Sequence, residues 1–321
     1  MITAQILKKR PTVFNRLVGI LPEEFDKLFD IWLSFWNEFI REEFIERKNR
    51  KREYGGGSKP KLKEAEDKLL FILMYFRLYP TQLLQGFWFN QDESTANRWV
   101  HRLTPILKKA LEFKGVLPKH TGGGRPPGQG KPRGRSLEEI IDEFPDLKDF
   151  LIDATEQGKR RSKNYQKQKE DYSGKKKKHT KKNIIVSDSR LGYVHFLGRT
   201  QPGSKHDKTM VDEEELHAKS DVTIGGDLGF LGLNIGNAKI VLPRKKPKGE
   251  ELTEIQKEQN RIFSQIRVKV EHAIGGVKRS KIASDIFRNT KTGFDDLSMF
   301  ISCGLHNYRV RERYALKFCQ A

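Results

Sequence analysis

The chain has 321 residues, with 62 lysines and arginines against 42 acidic residues and a formal net charge of +20. That length leaves room for two or three domains, and that charge favours a phosphate-rich partner over a neutral one. Its two cysteines, Cys303 and Cys319, exclude a disulfide framework and a cysteine-only zinc site. The longest apolar stretch, Leu69 to Phe76, is far too short to span a bilayer, and Met1 to Arg10 lack an apolar signal core. A soluble, cytoplasmic protein in a reducing compartment, with no membrane partner, is expected.

Residues 1–48 carry helical periodicity, with Phe25, Leu28, Phe29, Trp32, Leu33 and Trp36 on one stripe. The aromatics on it suit either a private helical core or a contact with a second copy. The polar run Arg47–Arg52 and then Gly55-Gly56-Gly57-Ser58 read as a flexible basic connector. From 61 to 111 the pattern predicts three helices. The first is apolar every three or four residues from Glu64 to Phe76. The second starts at Pro80-Thr81 and runs through Leu83, Leu84 and Phe87. The third is capped by Asn90, with Glu93 at the capping-box position and Ala96, Trp99, Val100, Leu103 and Ile106 buried. Such an arrangement is that of a helix-turn-helix, or of a small bundle that only packs. As a DNA reader its last helix would offer Thr95, Asn97 and Arg98, among others, to a groove.

Residues 112–145 are rich in Gly, Pro and Arg and read as a linker. The period then changes. Short apolar runs at 149–155, 183–187, 193–198, 222–227 and 239–242 predict five strands, followed by helices over about 252–284 and 294–312. The region 146–321 is therefore an α/β domain.

Three carboxylates stand out in it. Asp153 interrupts an apolar strand, Asp227 follows another behind two glycines, and Glu271 lies in the long helix. An Asp in an apolar strand is costly unless paired or metal-bound, although a strand-end Asp can also cap a turn. Oxygen ligands of this kind suit hard divalent cations. At about 100° per residue, Arg267, Glu271 and Lys278 share a narrow arc beside the stripe of Ile262, Ile266, Val270, Ala273, Ile274 and Val277. An ordinary Arg–Glu pair is the bland alternative. Basic runs at Lys159–Arg161 and Lys175–Lys182, which include Lys176 and Lys178, offer a track for phosphates. His206 in Gly203-Ser-Lys-His-Asp207 could touch phosphate, or with Asp207 could cap the next helix.

Four motifs in this order, Leu151-Ile-Asp-Ala-Thr-Glu156, Tyr172-Ser-Gly-Lys-Lys-Lys-Lys-His-Thr180, Gly203-Ser-Lys-His-Asp207 and Arg267-x3-Glu271-x6-Lys278, resemble the DDE-superfamily transposases of the bacterial insertion-sequence-five type, relatives of the Harbinger-like endonucleases. With the helix-turn-helix the resemblance spans about 61–312. It implies a ribonuclease H-like mixed sheet behind an all-α helix-turn-helix domain. It also implies Asp153, Asp227 and Glu271 as ligands of two Mg²⁺ ions (Mn²⁺ as substitute), with Arg267 and Lys278 contacting DNA. Expected partners are double-stranded DNA, as terminal inverted repeats and as target, and a second copy in a homodimer or larger assembly. The setting would be the bacterial nucleoid. Ser264 stands where the family often has Tyr. Two other readings remain: a domesticated, non-catalytic DNA-binding protein, and a ribonuclease acting on RNA–DNA hybrids.

Overall fold

The computed structural model describes residues 1–46, 60–120 and 148–318. The basic connector, most of the Gly/Pro-rich linker and Cys319 lie outside them. Two units emerge: Met1–Leu117 with Arg279–Ile282 and Arg311–Ala321, and Pro118–Lys278 with Ala283–Val310.

The described part of the first unit is helical: α1 (Ala4–Lys8), α2 (Pro11–Val18), α3 (Pro22–Ile40), α4 (Ala65–Leu78), α5 (Gln82–Trp88) and α6 (Glu93–Phe113). Local chemistry sets several starts. Pro22 opens α3, where the Glu24 carboxylate accepts from the Leu21 amide at 2.7 Å. The Thr81 hydroxyl caps α5, accepting from the Leu84 amide. The start of α6 departs from expectation. Asn90 sits in a left-handed turn (φ 52°), and Asp92 is the cap, accepting from the Thr95 amide at 2.7 Å. The α5–α6 connection is tight enough that a Cβ on Gly86 would lie 2.6 Å from the Gln91 carbonyl, so the turn requires glycine.

Phe25, Trp32 and Trp36 are buried within this unit. Trp36 lies 5.7 Å from Trp32 and 6.1 Å from Trp99 of α6. This corrects the view of these aromatics as a contact for a second copy. Truncating such a ring costs about 3–5 kcal/mol, so they are committed to the unit's own core.

The second unit holds one mixed sheet. Its strands are β1 (Lys119–His120), β2 (Asp149–Gly158), β3 (Tyr172–Ser173), β4 (Lys178–Asp188), β5 (Val194–Leu197), β6 (Gln201–Pro202), β7 (Thr223–Gly225) and β8 (Lys239–Val241). The order is β1-β5-β4-β2-β7-β8, with β3 and β6 pairing with β4. β4 runs antiparallel to β2 and β5, whereas β7 is parallel to β2 and β8. This is the ribonuclease H-like mixed sheet that the motifs implied. Its helices are α7 (Tyr165–Asp171), α8 (Asp207–Glu214), α9 (Glu254–Lys278) and α10 (Phe294–Phe318), whose end from Arg311 groups with the first unit.

Strand alternation divides the core. Phe150 and Ile152 of β2 pack with Met210 and Val211 of α8 on one face, while Leu151 packs with Val270, Ala273, Ile274 and Val277 of α9 on the other. Ile262 and Ile266, expected in that buried stripe, are exposed, and the buried positions of α9 all lie in its second half. No helix among the described residues is long and apolar enough to cross a membrane.

Candidate active site

Asp153 lies in the middle of β2, opposite Ile185 of β4. On its other side β2 pairs with β7 in the register Leu151↔Gly225. Continued by two residues, that register sets Asp153 beside Asp227. Both are odd-numbered partners of Leu151 and Gly225, so both point to the face covered by α9. The close fit of α9 there depends on Gly225, where a Cβ would lie 3.0 Å from Leu151 and 3.2 Å from Phe263 of α9.

Asp227 has two roles. Its Oδ1 accepts from the Gly229 amide at 2.8 Å and caps a short 3-10 turn, while Oδ2 lies 4.0 Å from an Arg267 nitrogen. The turn-capping alternative is therefore present together with the site geometry. Asp153 accepts from the Ala154 amide at 2.8 Å. Burial outweighs that hydrogen bond and, with the negative charges of Asp227 and Asp207, pushes its carboxyl up to about 6. Asp207 is thus a further acid of the same field. Its Oδ2 and the Asp227 Oδ1 both approach the position a Gly229 Cβ would take, at 3.3 and 2.8 Å. Neighbouring His206 occupies the N-cap position of α8 without capping through its ring, and is exposed.

Glu271 is exposed on α9, one turn beyond Arg267 and two before Lys278. Both cations of that row reach the sheet: Arg267 lies beside Asp227, and the Lys278 amine donates to the Glu156 carbonyl at 3.1 Å. Among the described residues Glu271 is not brought together with Asp153 and Asp227 into one cluster. Among the described residues no three His, Cys, Asp or Glu side chains converge into a finished metal cage. The acids that do meet are nevertheless a fit for a divalent cation, because Asp153 is half-buried among carboxylates that destabilise its charge.

Burial and the positive charges of Lys176 and Lys178 hold Lys278 below the usual lysine range. These three amines therefore share one neighbourhood, with exposed Lys176 in the turn between β3 and β4 and exposed Lys178 at the first position of β4. The second half of the same basic run needs correcting. Lys181 and Lys182 are buried in β4, and Lys182 is the internal counter-charge of Asp207 at 3.1 Å and of Glu156 at 3.7 Å. Sequence reading missed that role, because residues 178–183 (Lys-His-Thr-Lys-Lys-Asn) are polar throughout and carry no local signal of burial. In the helical unit Thr95 is tied into the cap of α6. It donates to Asp92 and accepts from Arg98, both at 2.8 Å, while Arg98 is exposed and Asn97 half-buried.

Sheet order, paired aspartates and an arginine-bearing helix are together those of a ribonuclease H-like domain with two acids on one face of its sheet. Residues 152–307 match the family described as DDE superfamily endonuclease, and residues 60–113 match the helix-turn-helix of DDE superfamily endonuclease. The chain thus carries an endonuclease domain and a helix-turn-helix domain of the DDE superfamily. It is also similar, at 27% identity over 298 residues, to a protein of Microchaete diplosiphon described as the probable transposase for insertion sequence element IS702, with 92% of this chain and 94% of that protein covered. No solved structure matches significantly.

Proposed function

We propose that this protein is the transposase of an insertion sequence. Residues 61–111 would bind the element's terminal inverted repeats, 112–145 would link, and 146–321 would cut and join DNA. The observation that carries the reading is the register that sets Asp153 beside Asp227 under Arg267, within the superfamily's endonuclease domain. Asp153, Asp227 and Glu271 would hold two divalent cations, Mg²⁺ by preference and Mn²⁺ as substitute. When bound, these supply Lewis-acid stabilisation and a lowered pKa for the attacking water.

The remaining tasks fall to the chain's own side chains. Lys278, Lys176 and Lys178 form a cationic seat for a DNA phosphate next to Asp153. Arg267 balances Asp227 and can turn to a phosphate oxygen. His206 adds a phosphate contact at the start of α8. Thr95, Asn97 and Arg98 at the head of α6 meet the groove, Arg98 being pre-set by Thr95. Hydrolysis at the element's end frees a 3′-hydroxyl, which attacks target DNA by in-line displacement in the same site. Two ends must be joined, so the active form is a homodimer or larger.

Labelled duplexes carrying the DNA that flanks the gene test this directly, incubated with Mg²⁺, with Mn²⁺ and with EDTA. Metal-dependent cuts at a repeat boundary, lost in Asp227→Ala, are expected. Tight binding without cleavage in either metal would instead support a domesticated DNA-binding protein.

A further inference from the structure

Asp207 opens α8, a place where an acid ordinarily caps its own helix. It does not do so here. Among the described residues its carboxylate accepts from no amide of α8, and its hydrogen-bond partner is the Lys182 amine, 3.1 Å from Oδ1. Lys182 is itself buried and held. It faces Glu156 across the β2–β4 pair, 3.7 Å from that carboxylate, and donates to the Lys205 carbonyl at 3.0 Å. An ammonium fixed by three oxygens in turn fixes the carboxylate it binds.

The other Asp207 oxygen is turned toward the acid pair. Oδ2 lies 3.3 Å, and Asp227 Oδ1 2.8 Å, from the single point above Gly229 where a Cβ would stand, so both border one small space. The Asp207 charge also reaches Asp153. A buried ion pair adds little stability, and a bare oxygen beside two further acids adds repulsion that a cation would remove. We infer that Asp207 is the outer acid of the cation site. It attracts a divalent cation held by Asp153 and Asp227 by charge, without completing a cage around it, and Lys182 on its other oxygen tempers that attraction. The pair thus sets how tightly the site holds its metal, and the inference rests on the metal-dependent reading above.

Mn²⁺ alone is the probe, titrated into the full chain without DNA at about pH 8, where Asp153 is ionised, with the free ion counted by its electron paramagnetic resonance. Asp207→Asn, which keeps the shape, should weaken binding roughly tenfold, and Lys182→Met should tighten it severalfold. Opposite signs separate this role from damage to the fold, which would weaken both. Asp212→Asn removes the same charge from the same helix, where Asp212 pairs with Lys208, and should bind within twofold of the wild type. Wild-type affinity in Asp207→Asn would overturn the inference, as would weaker binding in a folded Lys182→Met or an equal loss in Asp212→Asn. If Lys182→Met does not fold, the two asparagine variants decide. A wild type that binds no Mn²⁺ would remove the metal reading itself, and this inference with it.

Discussion

Asp92 caps a helix and Asp153 stands in the middle of a strand, and their surroundings are opposite. Hydrogen bonds from Ser94 and Thr95 surround Asp92 and hold it far below the usual carboxylate range. Asp153 is half-buried with other acids around it and is pushed up to about 6. A capping carboxylate is finished by its own helix, whereas a carboxylate waiting for a cation is left incomplete by the fold. The contrast is the one expected between a capping acid and the cation ligand proposed for Asp153.

The sharpest way to break that comparison is to delete the incomplete acids. Asp153→Ala or Asp227→Ala should reduce end cleavage on the order of a thousandfold, the equivalent of several kcal/mol of transition-state stabilisation, with end binding retained. Either variant cleaving at the wild-type rate removes that residue from the site. The cationic counterpart comes next. Lys176→Ala with Lys178→Ala should weaken DNA binding roughly tenfold at low salt and reduce the slope of log affinity against log salt by about two; an unchanged slope would mean these amines touch no phosphate.

Metal binding offers a readout independent of DNA. Mg²⁺ at a hundred times its dissociation constant should raise wild-type stability by about 2.7 kcal/mol, and the Asp153→Asn, Asp227→Asn pair should show no rise. Lys181 extends the comparison to a buried cation. Its amine sits 3.5 Å over the Phe287 ring and 3.7 Å from Asp295, and burial lowers it to about 8. A lysine depressed on folding binds fewer protons folded than unfolded, so stability should rise with pH between about 8 and 10.5. Lys181→Met should flatten that rise and leave stability at pH 7 equal or about 1 kcal/mol higher. The smallest effect belongs to the finished acid: Asp92→Ala should lower the melting temperature slightly and weaken end binding through Thr95 and Arg98, with cleavage of bound DNA unchanged.

Read along the chain, the sequence already contained the two kinds of structure and the acids themselves. Helical period before 111 and alternating apolar runs after 146 are local signals, so the all-α head and the α/β sheet were both legible. Asp153 was conspicuous because an acid inside an apolar strand is out of place, and Glu271 because its motif sits on one helical arc. Other features depended on partners distant in the chain. Strand neighbours are chosen by sheet pairing, so only the fold could set Leu151 against Gly225 and thereby Asp153 beside Asp227. Only packing could divide one basic run into the exposed Lys176 and Lys178 and the buried Lys181 and Lys182. Asp92 displaced Asn90 as the cap because the turn after Gly86 is too tight to start the helix earlier. Residue type and period are properties of a segment and survive in the sequence; burial, register and charge environment belong to pairs of segments, and exist only once the chain has folded.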